Sequence, residues 1–230
     1  MMTVCPRVWR VAIVGVLIIS AFVNDAAAQA DSVNEQRVKR MRRGAGLRVG
    51  TWDVRGLSQV SGARVNEWPM FEGYFQKGLD LHLALENTVS VFRREQRITR
   101  SGGIGGGTIE EKLTAYVIPQ FTSLKVYPFT RPEQGFEPYF TGGAGLTIGV
   151  DDRENSESGG LLGGGGESGV GFVAGFGLKG GLGFELRFSE AFGAGLGGRY
   201  QWVRFFGELA GERTYRGLGA DVGLTYRFQY

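Results

Sequence analysis

The chain has 230 residues, 40 of them glycine, with 12% aromatic residues and a formal net charge of +3. That length suits a single domain, and the nearly balanced charge gives no basis for a nucleic-acid partner. One cysteine and one histidine exclude a disulfide framework and an ordinary metal site.

The amino terminus has the pattern of a secretory signal peptide. Arg7 and Arg10 precede an apolar run over residues 11–23, and small residues at Ala26, Ala28 and Ala30 follow it. This order is typical of a cleaved signal, and we predict a signal peptide over residues 1–30. The alternative is a retained anchor, but the run is too short to cross about 30 Å of hydrocarbon as a helix.

Residues 31–43 are polar and basic, and we interpret them as a solvated periplasmic tail or a short surface helix, with binding of anionic head groups or peptidoglycan as the alternative. Alternating apolar and polar residues then predict strands through the rest of the chain. The predicted strands span residues 46–54, 70–78, 82–95, 112–129, 138–150, 169–188, 192–206 and 215–230.

Three features of these segments refine the prediction. The apolar parity changes between Val117 and Leu124, which suggests a β-bulge near Pro119. The connections alternate in length, with long ones at 55–69, 96–111, 151–168 and 207–214. Shorter ones lie at 79–81, 130–137 and 189–191. Long loops on one side and short turns on the other are typical of outer-membrane barrels.

Aromatic residues cluster near the predicted strand ends, which indicates two interfacial girdles. The expected periplasmic girdle contains Tyr127, Phe129, Phe136, Tyr139, Phe184, Phe188, Phe192, Tyr226, Phe228 and Tyr230. The expected outer girdle contains Trp52, Phe71, Phe92, Phe172, Trp202 and Phe205. We therefore predict an all-β fold, an eight-stranded antiparallel up-and-down transmembrane β-barrel over residues 44–230, in the cell outer membrane.

Residues 44–230 resemble the outer membrane protein β-barrel domain family, the eight-stranded barrels of the OmpA/OmpW type. The similarity lies in PYFTGGAG at 138–145, in YVIPQFTSLKVYPF at 116–129 and in the terminal YRFQY at 226–230. The resemblance implies outer-membrane lipid as the environment and a monomeric barrel. It also implies that Tyr226, Phe228 and Tyr230 form the signal read by the barrel-assembly machinery, where phenylalanine is the more usual last residue.

Two patterns in the chain match chemical motifs only superficially. The GAGLGG stretch at 193–198 matches a dinucleotide-binding pattern, but it lies inside a predicted strand rather than between a strand and a helix. His82 is the only histidine and has no evident nucleophile beside it. We therefore predict no enzyme activity and no cofactor.

The face opposite the apolar one carries charged residues that would point into the barrel. We predict an interior charge network of Glu86, Lys179, Glu185, Arg187, Arg199, Asp221 and Arg227, accompanied by Thr88, Gln201 and Thr225. An eight-stranded barrel is narrow enough for side chains to fill it, and charges buried there must pair. The network therefore indicates a salt-bridged plug.

The functional expectation is an integral barrel with a structural or surface-interaction role, exposing four outer loops. One alternative is a narrow channel for small solutes or, by resemblance to OmpW, for hydrophobic molecules. A second alternative is a secreted, soluble barrel of the lipocalin type, which would have its apolar face inside.

Overall fold

The structure, a computed structural model, describes residues 42–55, 64–101, 108–129, 135–157 and 169–228. The predicted signal peptide, nearly all of the basic tail and Tyr230 lie outside the described residues. So do the glycine-rich segments 102–107 and 163–166.

The described residues form strands joined by turns and loops. The strands are β1 (Gly44–Arg55), β2 (Arg64–Glu67), β3 (Met70–Gly78), β4 (Leu83–Ser101), β5 (Thr108–Val126), β6 (Phe136–Glu157), β7 (Gly169–Arg187), β8 (Phe192–Leu209) and β9 (Glu212–Arg227). Among the described residues, no helix is long and apolar enough to cross a membrane.

All neighbouring strands pair antiparallel, and the sheet closes because β1 pairs with β9 and β4 pairs with β5. β2 and β3 both pair with β4, one after the other, so they occupy a single position in the ring. Trp68 and Pro69 separate them, since proline has no N–H to donate to the ladder. The predicted eight-stranded antiparallel barrel is confirmed.

The barrel is apolar outside and charged inside. Outward-facing side chains such as Leu47, Leu146 and Phe172 are 73%, 70% and 67% exposed, whereas Glu72, Glu86 and Lys125 are almost fully buried. This arrangement suits a hydrocarbon environment, in which a closed barrel satisfies every backbone hydrogen bond. It is the reverse of a lipocalin-type barrel and opposes that alternative. The chain is an outer-membrane β-barrel.

Both described termini and the connections after β3, β5 and β7 lie at one end of the barrel, which we call the periplasmic end because short turns are typical of that side. The Phe228 N–H donates to the carbonyl oxygen of Arg43 across 3.0 Å. The turn after β3 is held by Asp80 Oδ1, which accepts from the backbone N–H groups of His82 and Leu83 at 2.6 and 2.8 Å. Asp side chains favour turns through such local bonds.

The predicted bulge near Pro119 is wrong. The β4–β5 register is the same on both sides of Pro119, and β6 pairs without interruption along this stretch. Ala115 and Val117 face inward, while Leu124 and Val126 face outward. The apolar parity changes in the sequence because the outer half of the barrel interior is itself apolar.

Five aromatic residues assigned to the girdles face the interior instead. Trp52, Phe92, Phe205, Tyr127 and Tyr139 are each at most 6% exposed. They occupy inward-facing positions on their strands or at a strand end, so their rings fill the barrel rather than reaching lipid.

The outer connections are shorter than predicted, because β4, β5 and β6 extend into the expected loops. The expected long connection at 207–214 is a hairpin turn of two residues, Ala210 and Gly211. Both have positive φ, 49° and 84°, as the type I′ turn of a tight hairpin requires. The sequence gives no signal for this turn, because asparagine or glycine usually occupies the position that alanine takes here.

The strained turn generates a stability prediction. We expect Ala210→Asn to raise the free energy of unfolding by about 0.5–1 kcal/mol, because asparagine tolerates the left-handed conformation better than alanine. Urea unfolding in lipid vesicles measures this change. Ala210→Val is the opposed control and should lower the same free energy; an equal effect of both variants would contradict the argument.

Candidate functional site in the barrel interior

The interior has two layers along the barrel axis. The periplasmic half holds what we call the charge network, composed of Arg48, Glu72, Glu86, Lys125, Lys179, Glu185, Arg199, Asp221 and Arg227. The outer half holds the apolar plug, composed of Trp52, Val54, Met70, Phe92, Ala115, Val117, Phe121, Val203, Phe205, Leu209 and Tyr215. Both layers follow from strand alternation, since every second residue points inward.

Glu86 on β4 is the centre of the charge network. Its Oε2 lies 2.5 Å from Arg48 Nη2 and 2.8 Å from Lys125 Nζ, and its Oε1 lies 3.5 Å from Lys179 Nζ. Arg48 Nη1 also donates to Oε1 across 3.1 Å. A carboxylate that is 1% exposed thus has three cationic partners from three other strands.

Arg48 and Arg199 connect two further acids to this centre. Glu72 accepts from Arg48 Nη1 at 2.8 Å and from Arg199 Nη1 at 2.5 Å. Asp221 lies 3.8 Å from Arg48 Nε and 3.4 Å from Arg199 Nε. The planar guanidinium groups bridge several carboxylates at once, which a lysine ammonium does less well.

On the periplasmic side of Glu86, Lys125 links the charge network to β7. Its Nζ lies 2.8 Å from Glu185 Oε1 and 3.0 Å from the Gln76 side-chain oxygen. Gln76 in turn donates to the Tyr127 hydroxyl across 2.8 Å. Arg227 approaches the second oxygen of Glu185 at 3.5 Å. Charged and neutral polar groups therefore form one continuous layer.

A smaller group of residues closes the periplasmic mouth. Arg42 and Arg187 both bind Glu137, with N–O distances of 3.2 and 3.3 Å. The Arg42 guanidinium stacks 3.9 Å from the centre of the Tyr127 ring and donates to the Leu81 carbonyl oxygen. Arg42, two residues before the start of β1, thus covers the inner opening of the barrel.

The apolar plug is closely packed across the barrel. The rings of Trp52 and Phe92 meet edge to face at 5.1 Å, and those of Phe205 and Tyr215 at 5.5 Å. The Tyr215 hydroxyl donates to the Leu209 carbonyl oxygen across 2.7 Å, which satisfies its only polar group. A cavity of about 10 Å³ lies beside Arg48, Lys179 and Asp221, about the space that one water molecule needs.

The structure brings six of the seven predicted interior charges into the charge network and places the seventh, Arg187, at the mouth. Of the polar residues expected beside them, Thr88 accepts from Lys179 at 3.2 Å, Thr225 contacts the Tyr74 hydroxyl, and Gln201 is buried.

Sequence reasoning missed Arg42, Arg48, Glu72, Lys125 and Glu137, although most of them obey the same alternation. Arg48 lies between Leu47 and Val49, and Lys125 lies between Leu124 and Val126. A charge between two outward apolar residues is the signal that identifies such positions.

The remaining predicted residues lie away from the charge network. Tyr226 faces outward at the periplasmic end, with its ring 5.3 Å from that of Phe192 and 5.6 Å from that of Phe228. His82 is exposed in the turn between β3 and β4, and the GAGLGG stretch lies inside β8. No group of three or more potential metal ligands occurs among the described residues.

No protein-family model and no curated protein sequence matches the chain. Among solved structures, it is similar to the outer membrane protein OprG from Pseudomonas aeruginosa, with 15% identity, a TM-score of 0.47 and coverage of 84% of this chain and 100% of OprG. It is also similar to Ail, the attachment invasion locus protein of Yersinia pestis, with 13% identity, a TM-score of 0.40 and coverage of 81% and 99%. Neisserial surface protein A has 14% identity and a TM-score of 0.38, with coverage of 81% and 97%.

The geometry around Glu86 predicts a large stability effect. Glu86→Gln leaves Arg48, Lys125 and Lys179 facing one another without their shared counter-charge, and we expect a loss of about 3–5 kcal/mol in the free energy of unfolding. Urea unfolding in lipid vesicles measures the loss.

The matched control is Glu208→Gln, which removes an exposed carboxylate 3.4 Å from Arg213 near the outer turn. We expect a change within about 0.5 kcal/mol there. A loss below about 1 kcal/mol for Glu86→Gln would contradict the central position of this residue.

Proposed function

We propose that the chain is a non-conducting outer-membrane barrel that acts as a structural and surface-interaction protein. The observation that carries this proposal is that two layers of buried side chains, the charge network and the apolar plug, occupy the interior. A solute passing through would have to displace both the apolar plug and the charge network, which are built from different side chains and held by different forces.

The energetics of the two layers support closure. A path through the charge network would separate ion pairs in a narrow, poorly solvated space, where an unpaired charge costs several kcal/mol. A path through the apolar plug would require moving packed rings such as Trp52 and Phe92, which meet edge to face inside a narrow eight-stranded barrel. A continuous path requires both openings at once.

The lengths of the strands support a role at the cell surface. β6 has 22 residues, and β4, β5 and β7 have 19 each, whereas about 9–11 residues cross the hydrocarbon as a tilted strand. Because the inner turns are close to the apolar band, most of the excess lies at the outer end. We infer that these extensions and their connecting loops form the contact surface.

We further propose that the barrel is monomeric and that Tyr226, Phe228 and Tyr230 direct its assembly. The outward position of Tyr226 at the end of β9, the last strand, supports this role, since the assembly machinery must recognise a strand before the barrel closes.

Planar-bilayer recording tests the closure with four forms of the protein. The wild-type barrel should not conduct. Trp52→Ala with Phe92→Ala opens only the apolar plug, and Arg48→Ser with Glu86→Ser removes a neutral pair from only the charge network. We expect neither double variant to conduct and the fourfold variant to show steady currents, because both layers must open together.

Two outcomes would overturn the proposal. Steady conductance of the wild-type barrel would support the narrow-channel alternative for small solutes. A wild-type barrel that speeds uptake of hydrophobic molecules into vesicles, with no ionic current, would support the OmpW-like alternative instead. The heat-modifiable mobility of each variant on gels is the control for folding.

A further inference from the structure

Two exposed arginines lie on the mostly apolar outer wall of the barrel. Arg204 on β8 and Arg216 on β9 occupy outward-facing positions, and both are exposed. Trp202 is the direct register partner of Arg216, and Phe176 on β7 is the direct register partner of Arg204. The two arginines therefore lie on neighbouring strands within one small area of the wall.

Aromatic residues occupy positions next to these arginines in the sheet. The Phe176 ring lies 5.4 Å from that of Trp202 and 6.0 Å from that of Phe206, and Phe206 is 72% exposed. We call these five residues the arginine–aromatic patch: Phe176, Trp202, Arg204, Phe206 and Arg216. Aromatic rings favour the boundary between hydrocarbon and head groups, so the composition of the patch suits that depth.

The position of the patch along the barrel agrees with that depth. Phe192 and Tyr226 pair in register at the periplasmic edge, and Arg204 and Arg216 lie twelve and ten residues further along their strands. At about 3.3 Å per residue and a tilt of about 40°, these separations correspond to roughly 30 and 25 Å along the axis. The apolar band of such a barrel is about 25 Å tall, so both guanidinium groups reach the outer head-group level.

The two arginines of the patch form no ion pairs within the part of the chain that the structure describes. Neither Arg204 nor Arg216 forms an ion pair with another described side chain, whereas Arg213, near the β8–β9 turn, lies 3.4 Å from Glu208. The exposed Asp53 of β1 is the register partner of Leu218, two residues from Arg216. Two arginines near one carboxylate leave the patch with an excess of positive charge, which favours an anion there.

We propose that the arginine–aromatic patch binds a phosphate group of lipopolysaccharide, the phosphorylated glycolipid of the outer leaflet. Guanidinium groups bind phosphate through paired, charge-assisted hydrogen bonds, and the flanking rings pack against acyl chains just below. The lipid, rather than a protein, is the occupant because the patch lies at the edge of the apolar band and not on the outer loops.

The test uses the full barrel reconstituted in phosphatidylcholine bilayers and titrated with lipopolysaccharide. The measured quantity is the lipopolysaccharide concentration that gives half of the maximal rise in unfolding temperature. We expect Arg204→Gln with Arg216→Gln to need about tenfold more lipopolysaccharide than the wild type, because the charge-assisted bonds to phosphate are lost. Arg213→Gln is the matched control and should need the same amount as the wild type.

Two further titrations use only the wild-type barrel, so they do not depend on the folding of a variant. Dephosphorylated lipopolysaccharide and phosphatidylglycerol should each bind at least about fivefold more weakly than intact lipopolysaccharide, since the patch matches a phosphate on a broad glycolipid head group. Equal binding of either lipid, or equal half-saturation for the double variant and the wild type, would overturn the proposal. These readouts are independent of conductance, so they stand apart from the closure of the interior.

Discussion

Closure of the sheet through β1 and β9 is the constraint on which the rest of the structure depends. Twelve residue pairs join these strands, from Gly44 with Arg227 to Arg55 with Arg216. Hydrocarbon offers no partner to an open strand edge, so the ring must close. Eight strands close into a narrow barrel, and strand alternation then sends every second side chain into a space with little water. The charges at those positions are stable only because they face one another, as Glu86 does with Arg48 and Lys125.

Glycine on the inward face makes room for these large side chains. A Cβ atom at Gly46 would lie 2.5 Å from Cζ of Tyr74, and one at Gly183 would lie 2.8 Å from Cζ of Tyr139. Both tyrosines lie beside the charge network, with Arg48 stacked 3.8 Å from the Tyr74 ring and Lys125 Nζ 4.2 Å from the Tyr139 ring. The high glycine content of the chain is therefore partly a consequence of filling a small interior with arginine, lysine and tyrosine.

Alternation in the sequence was enough to predict the strands, their antiparallel order and most inward charges, because side-chain period is a local property. Alternation was not enough where the inward and outward faces of a strand carry the same kind of residue. Ala115 and Val117 point inward, but in the sequence they resemble a lipid-facing pair. This similarity led to the predicted bulge, which the continuous register excludes. Trp52 and Phe92 were assigned to a girdle for the same reason. The turn at Ala210 was missed because its positive φ is imposed by strand pairing rather than by its residue type.

The two interior layers depend on each other. The apolar plug keeps water from the outer half, which lowers the local dielectric around Glu86 and Glu72 and strengthens their attraction to Arg48 and Arg199. The charge network in turn holds β1, β3, β4, β8 and β9 in the positions at which the plug residues meet across the barrel. Under the proposed function, an interior packed in this way does not exchange matter with its surroundings. The outer wall, where Arg204 and Arg216 are exposed, and the outer loops are then the surfaces through which we propose that the barrel meets its environment.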